Sequence, residues 1–182
     1  VGTDNIDIYN LSLRKIKITN SPGIIEDAMV SSILAYMTNL ARGFFLSYRL
    51  KQLKKLNREN WDKYSENIND FYGMHILIVG YGSIGSKLAS ICKAFRMKVS
   101  AINRSHSPDK NVDHYFNLDE ISKPLSSADF VINLLPLTKS TADFFSIDVL
   151  SKMHPKSFFI NIGRGGTVVE KDLIFLLKKK KI

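Results

Sequence analysis

The sequence predicts an α/β protein with a doubly wound, mostly parallel sheet, and three observations carry that prediction. First, the apolar run Ile76-Leu-Ile-Val79 leads directly into Gly80-Tyr-Gly82-Ser-Ile-Gly85 and then into an amphipathic helical pattern. Second, strand-like and helix-like segments alternate from there onward, which is typical of parallel strands joined by crossover helices. Third, the run is apolar at every position, as expected of a strand that is covered on both faces.

The glycine trio predicts a turn that binds a dinucleotide. Gly80 permits a tight turn, Gly82 lets the backbone approach a pyrophosphate, and Gly85 lets the following helix pack closely on the strand. The N-terminus of that helix offers N–H groups and a positive dipole end to phosphates. The alternative is a glycine-rich turn without phosphate in another α/β protein, and the flanking strand and helix favour the dinucleotide.

The remaining elements follow from hydrophobic periodicity and from local stop signals. Asn117 and Glu120, three residues apart, predict a capping box at the start of a short helix. The predicted strands are 75–80, 97–102, 114–116, 129–135 and 157–162. The predicted helices are 83–95, 118–123, 146–152 and one that begins at about 170.

The N-terminal part of the chain has a different pattern. Residues 14–19 alternate as a half-buried strand does. Residues 27–48 predict one long helix that is apolar on more than one side, with Tyr36 and Phe45 beside the main stripe. Such a helix is expected to be buried between two parts of the structure. These are two domains, the two subunits of a dimer, or both.

Composition limits the function further. The chain has 182 residues, a formal net charge of +9 and one cysteine, Cys92, which excludes an internal disulfide and fits a reducing, cytoplasmic compartment. No apolar run approaches the ~20 residues of a membrane helix, so we predict no membrane association. The basic residues concentrate only at 51–58 and 178–181 and accompany no nucleic-acid motif, so we predict no nucleic-acid binding. The alternative is a nucleic-acid binder driven by charge, whose binding to unrelated sequences would depend steeply on the salt concentration. We predict no metal site.

The residues after the second strand favour NADP over NAD. An acid at this position would accept hydrogen bonds from the adenosine ribose and select NAD. The sequence instead has Asn103-Arg104-Ser105, in which Arg104 pairs with a 2′-phosphate and its two neighbours donate hydrogen bonds to it. NAD stays possible, because Arg104 is also interpretable as a solvated loop residue or as a side chain stacked on adenine.

Four stretches together resemble the D-isomer-specific 2-hydroxyacid dehydrogenases. In chain order they are Gly2-Thr-Asp-Asn-Ile-Asp7, the turn from Gly80 to Gly85, Leu134-Leu-Pro136-Leu-Thr138 with Thr141 following, and Asn161-Ile-Gly163-Arg164-Gly165. The last two are more specific than the glycine turn. The resemblance implies that residues 1–22 are the tail of a substrate domain and that residues 23–182 form an NAD(P)-binding domain that includes the interdomain helix.

The resemblance also implies roles for single residues. Arg164 would face the substrate, where its guanidinium holds a 2-oxo-carboxylate by two parallel bonds and polarises the carbonyl. A structural arginine between two glycines is the alternative, and Thr138 and Thr141 are alternatively turn and cap residues. The cofactor contacts implied by the resemblance are Ser83, Ile84, Pro136, Thr141, Ile162 and Gly163.

The resemblance finally implies a reaction and a fragment. The reaction is hydride transfer between a nicotinamide cofactor and a small D-2-hydroxy or 2-oxo acid in a homodimer. The family's acid–base histidine and its glutamate come after the position of residue 182, so this chain alone is expected to be nearly inactive. None of its four histidines is expected to replace that histidine. The alternative function is a catalytically inactive dinucleotide sensor or a corepressor-like scaffold.

Overall fold

A computed structural model describes residues 6–19, 21, 23–65, 68–103 and 108–182. The N-terminal part contains the helices α1 (Ile8–Leu13), α2 (Glu26–Ala41), α3 (Phe44–Gln52) and α4 (Arg58–Tyr64). Strand and helix then alternate through β1 (His75–Val79), α5 (Ser83–Ala94), β2 (Lys98–Ile102), β3 (His114–Phe116), α6 (Ser122–Leu125), β4 (Phe130–Asn133), α7 (Ile147–Leu150), β5 (Phe158–Asn161) and α8 (Glu170–Lys178).

Within the described ranges the sheet has five strands in the order β3-β2-β1-β4-β5, and every pairing is parallel. The chain moves outward from β1 to β3 and then returns to place β4 on the other side of β1. This reversal is the topological switch point of a doubly wound sheet. The predicted fold class is therefore confirmed, as are all five strands between residues 75 and 162.

The central strand β1 divides the core into two layers. Ile76 and Ile78 belong to the cluster that α2 and α5 cover, whereas Leu77 and Val79 belong to the cluster on the opposite face. All four side chains are fully buried. Because successive side chains of a strand point to opposite faces, an uninterrupted apolar run is what a strand between two helical layers requires.

Cys92 lies on the buried face of α5, in the core. Its burial raises the pKa of the thiol to about 12, so it stays protonated and unreactive at neutral pH. The predicted capping box is also present, since Asn117 and Glu120 exchange hydrogen bonds around the 3₁₀ turn Leu118–Glu120.

The predicted strand at 14–19 is wrong. Lys15 adopts a left-handed conformation (φ 55°), and the N–H of Ile16 donates to the carbonyl of Leu11 at 2.9 Å, which closes the end of α1. Ile16 and Ile18 are exposed rather than half-buried. Within the described ranges no strand lies beside this alternating pattern, and the N–H groups of Arg14, Lys15 and Ile16 cap α1 instead.

The predicted single helix at 27–48 is two helices. Gly43 has φ 67° and separates α2 from α3. The side chains of Val30, Ile33 and Met37 are buried as predicted, but Phe44 beyond the break is 56% exposed. A glycine that adopts the left-handed conformation ends a helix, so the apolar stripe changes direction at this residue. No described helix is both long enough and apolar enough to cross a membrane.

His75 at the start of β1 is buried and hydrogen-bonded on both ring nitrogens. Its Nε2 lies 2.8 Å from Ser100 Oγ and its Nδ1 lies 3.1 Å from the carbonyl oxygen of Ser127. Burial lowers the pKa of this imidazole below its ordinary value of 6.5. These contacts give His75 a structural role in the core.

We therefore expect the chain to lose stability as the pH falls through the range just below 6.5. There the unfolded chain takes up a proton that folded His75 resists, so the free energy of unfolding decreases until the lower folded pKa is reached. The slope from this one group is at most about 1.4 kcal/mol per pH unit. Denaturant titrations at several pH values should show this part of the slope disappear in His75→Gln. The slope should persist in His154→Gln, and an unchanged slope in His75→Gln would refute the assignment.

Candidate functional site

A cleft of about 290 Å³ lies at the carboxyl edge of the sheet, at the switch point between β1 and β4. The segments that follow β1, β2, β3 and β4 supply its walls. Loops diverge from neighbouring strands at a switch point, and doubly wound proteins bind their ligands in the crevice that results. The position of this cleft is thus dictated by the strand order.

The three glycines of the turn have three different surroundings. Gly80 has φ 98°, and a Cβ there would lie 2.9 Å from the carbonyl carbon of Leu134. A Cβ on Gly82 would meet no atom within 4 Å, so this residue borders open space. A Cβ on Gly85 would lie 3.2 Å from Ile78 Cγ2, between helix and strand. Gly80 is therefore required by its backbone conformation and by packing, Gly85 lies in close contact between helix and strand, and Gly82 leaves room for a ligand.

Helix α5 begins directly after Gly82, which lines the cleft, and its first turn contains no acidic residue. The side chain of Ser83 hydrogen-bonds Glu26 on α2, and this bond, followed by one from Lys87, lowers the pKa of the Glu26 carboxyl. Lys87 Nζ lies 3.2 Å from Glu26 and 2.9 Å from Asp27. Since the hydroxyl of Ser83 is engaged with α2, the backbone N–H groups of the first turn are the donors that an anion in the cleft would meet.

Tyr81, between the first two glycines, lines the cleft and is fixed by Asp109. Its hydroxyl donates to Asp109 Oδ2 at 2.7 Å, and Ser86 Oγ donates to the same oxygen at 2.9 Å. The other oxygen, Oδ1, accepts from the backbone and side-chain N–H groups of Asn111, both at 2.9 Å. Burial and the Asp109 bond raise the pKa of Tyr81, so it remains a neutral donor.

The loop after β4 is a hydrogen-bonded turn centred on Thr141. Thr141 Oγ1 accepts from the N–H of Thr138 at 2.9 Å and donates to the carbonyl of Pro136. Thr141 is only 7% exposed, yet it borders the cleft together with Pro136 and Thr138. The hydrogen bonds of Thr141 thus fix the conformation of the turn, and the turn forms one wall of the cleft.

The segment after β5 reaches the same edge of the sheet one strand away from the cleft. The N–H groups of Ile162 and Gly163 both donate to the carbonyl of Asn133, at 3.1 and 2.9 Å. A Cβ on Gly163 would lie 2.7 Å from the carbonyl oxygen of Leu135, so this backbone also packs without a side chain. Arg164 follows, half-buried, before a 3₁₀ turn over Gly165–Thr167.

A sequence model of one protein family matches most of the chain. It covers residues 34–182 and is described as the D-isomer specific 2-hydroxyacid dehydrogenase, NAD binding domain. The chain belongs to this family. The NAD-binding domain is the part that contains the cleft, the glycine turn and Arg164.

Similar proteins include several reductases. The chain is 33% identical over 188 residues to a probable 2-ketogluconate reductase of Dictyostelium discoideum, a match that covers all of this chain and 54% of the relative. It is 31% identical over 191 residues to glyoxylate/hydroxypyruvate reductase B of Shigella boydii, covering all of this chain and 56% of that protein. The crystal structure of phosphoglycerate dehydrogenase from Lactobacillus plantarum has a TM-score of 0.79 at 26% identity, with 100% of this chain and 57% of that chain covered. The chain spans about half the length of these relatives.

The cleft of this 2-hydroxyacid dehydrogenase domain brings together some of the residues predicted from sequence and not others. Arg104 and Ser105 lie outside the described residues. The first turn of α5, behind the glycine turn, contains Ser83, Ile84 and Gly85. The segment that follows the end of β5 contains Ile162, Gly163 and Arg164. The predicted residues that line the cleft are Gly80, Gly82, Asn103, Pro136 and Thr141.

Sequence reasoning missed several lining residues. Tyr81, Leu134 and Leu135 stand next to predicted positions, so the motifs themselves could have indicated them. Asn117 and Leu118 were recognised only as a helix start, and their place in the cleft depends on β3 lying beside β2. Chain order alone does not show that proximity.

The described histidines lie away from the cleft. His75 is a core residue at the opposite, amino end of β1, His114 begins β3 at an exposed position, and His154 accepts a hydrogen bond from the backbone N–H of Lys156 at 3.3 Å. His106 lies outside the described residues. Among the described residues, no three His, Cys, Asp or Glu side chains are grouped so that they could hold a metal ion.

The glycine surroundings predict opposite phenotypes for two neighbouring substitutions. Gly80→Ala forces a left-handed alanine against the Leu134 backbone and should lower the free energy of unfolding by roughly 2–4 kcal/mol. Gly82→Ala places its methyl group in open space, so it should leave stability within about 0.5 kcal/mol while weakening dinucleotide binding.

Chemical denaturation and cofactor titration by protein fluorescence measure the two effects separately. If Gly82→Ala bound the dinucleotide as tightly as the unsubstituted chain, the phosphate would not approach this backbone. If Gly80→Ala were as stable as Gly82→Ala, the packing argument for Gly80 would be wrong.

Proposed function

We propose that the protein containing this chain transfers hydride between NADP(H) and a small D-2-hydroxy acid or 2-oxo acid. The observation that carries the proposal is the position of the half-buried Arg164 at the same carboxyl edge as the glycine-lined cleft, in a member of the 2-hydroxyacid dehydrogenase family. The names of the similar reductases support the same substrate class.

The described residues fit a dinucleotide. Gly82 leaves open space beside the first turn of α5, where N–H groups and the helix dipole favour a pyrophosphate. The turn that contains Pro136 and Thr141 forms, together with Leu134, a wall of the cleft that would contact the rest of the cofactor. When bound, the nicotinamide ring supplies or accepts the hydride.

Arg164 is the group that we assign to the substrate. Its guanidinium is always charged, and its two parallel N–H bonds match the carboxylate of a 2-oxo acid. The same positive charge polarises the neighbouring carbonyl and stabilises the alkoxide that develops as hydride arrives. We expect the accompanying proton from the histidine that the family resemblance implies beyond residue 182, since none of the described histidines borders the cleft.

The preference for NADP(H) is supported by what surrounds the ribose end of the cleft. Asn103 follows β2 and lines the cleft, and Arg104 and Ser105 come next in the sequence. Asp109, which bonds the cleft-lining Tyr81, already accepts two hydrogen bonds on each carboxylate oxygen. It is therefore engaged by protein donors, and we infer that it does not act as the ribose acceptor that selects NAD.

We also propose a homodimer in a reducing, cytoplasmic compartment. The outer face of α3 exposes Phe44, Phe45 and Tyr48 by 56%, 51% and 64%, a contiguous apolar surface of the kind that marks an interface. The family resemblance implies a second copy as the partner. The buried, protonated thiol of Cys92 fits a compartment without disulfides.

The direct test is a reductase assay of the full-length protein. NADPH consumption should depend on an added 2-oxo acid, with glyoxylate, hydroxypyruvate and pyruvate as the first substrates. Arg164→Ala should lower kcat/KM by about 100-fold, because two charge-assisted bonds to the carboxylate are lost. Absence of substrate-dependent NADPH loss with all three acids would count against the proposal.

A second measurement tests cofactor preference. Arg104→Ala should weaken NADP⁺ binding by about 10- to 100-fold, the worth of one charge-assisted hydrogen bond. Binding of NAD⁺ should change by less than about threefold. Lys110→Ala, a nearby exposed substitution, serves as the control. Equal loss of both cofactors in Arg104→Ala would assign Arg104 to adenine rather than to a 2′-phosphate.

A further inference from the structure

The last residue of β4, Asn133, is a fully buried polar side chain in an otherwise apolar strand. Its Oδ1 accepts from the N–H of Leu135 at 3.1 Å. Its Nδ2 donates to Asn161 Oδ1 at 3.0 Å and to Thr167 Oγ1 at 2.8 Å. Because the N–H of Leu135 can only donate, the orientation of the amide is fixed and its two N–H groups must point toward β5.

Both hydrogen-bond partners of Asn133, the side chains of Asn161 and Thr167, also donate hydrogen bonds to the backbone carbonyl of Arg164. Thr167 Oγ1 donates to the carbonyl oxygen of Arg164 at 2.6 Å, and the N–H of Thr167 donates to the same oxygen at 3.1 Å. Asn161 accepts from the N–H of Gly163 at 3.1 Å and directs its Nδ2 to the Arg164 carbonyl at 3.4 Å. Every donor in this network therefore meets an acceptor.

The segment that the network holds has little rigidity of its own. Arg164 stands between Gly163 and the pair Gly165-Gly166, and glycine has the widest range of backbone conformations of any residue. A Cβ on Gly165 would meet nothing within 4 Å, whereas a Cβ on Gly163 would lie 2.7 Å from Leu135, so packing confines the segment before Arg164 more than the residue directly after it. Hydrogen bonds to the Arg164 carbonyl therefore contribute to the direction in which its side chain leaves the backbone.

We propose that Asn133 and Thr167 are positioning residues that aim the Arg164 guanidinium at the substrate carboxylate. The inference rests on the proposed function, in which Arg164 binds a 2-oxo acid. It adds that the amide at the end of β4 sets the geometry of a group that follows β5. Misplacement of a catalytic group by about 1 Å costs up to ~100-fold in rate, so the network should affect substrate use and not only stability.

Two substitutions interrupt the network with little change of shape. Asn133→Asp keeps the acceptor for Leu135 and removes both N–H donors, and Thr167→Val removes the hydroxyl that bonds the Arg164 carbonyl. In the full-length protein each should raise KM for glyoxylate by about 10- to 100-fold while the Kd for NADPH stays within about twofold. Thr167→Ser restores the hydroxyl and should restore KM.

A matched control separates positioning from stability. Ser100→Ala removes a buried hydroxyl that hydrogen-bonds His75, at the amino end of β1 and away from the network, at 2.8 Å. It should lower Tm, as the network variants do, without changing KM. If Asn133→Asp and Thr167→Val lowered only Tm and left KM unchanged, the network would be structural and the inference would be overturned.

The failure of the proposed function would look different. In that case Arg164→Ala would have the same kcat/KM as the unsubstituted protein, or the unsubstituted protein would reduce no 2-oxo acid, and the inference would fall with it. If Asn133→Asp did not fold, the comparison of Thr167→Val with Thr167→Ser would decide the question by itself. Equal KM values in that pair would overturn the inference.

Discussion

The close approach of three backbone segments at the carboxyl edge of the sheet is the constraint on which the rest of the site depends. Gly80 after β1 and Gly163 after β5 pack against the two sides of the Leu134–Leu135 backbone, at distances that leave no room for a Cβ. This contact lets the loop after β4 leave the sheet as a wall between the cofactor turn and the arginine segment. A larger residue at either glycine would separate the strands whose ends form the site.

Hydrogen bonds of Asn133 stabilise the same close approach of backbone segments. The carbonyl of Asn133 accepts from Ile162 and Gly163, while its side chain bonds the N–H of Leu135. One residue thus connects its own strand end, the following loop and the next strand. Buried polar groups are costly unless they are satisfied, and here the satisfied bonds specify a single arrangement of three chain segments.

The sequence predicted the sheet well because each central strand has a simple physical signature. An uninterrupted apolar run such as Ile76–Val79 requires burial on both faces, and the glycine turn indicated the cofactor crevice at the end of β1. The N-terminal part was predicted poorly, since the alternation at 14–19 is equally compatible with an exposed extended segment. The helix break at Gly43 was predictable, because a glycine stands between the two apolar stripes. The apolar periodicity continues past this residue, however, and therefore indicated a single helix. The role of Asn133 was not predictable, because it depends on Thr167, which is 34 residues away in the chain.

Asp109 couples the loop before β3 to the glycine turn after β1. The segment that begins at Asn103 is held at its start, where the Asn103 N–H meets the Phe116 carbonyl at 3.3 Å. At its end, Asp109 is held by Tyr81, Ser86 and Asn111. Because Tyr81 lines the cleft, a substitution of Asp109 would disturb the wall of the cleft as well as the loop to which Asp109 belongs. The loop that leads into β3 and the glycine turn after β1 therefore form one hydrogen-bonded unit, and an engineered change in either of them has to take the other into account.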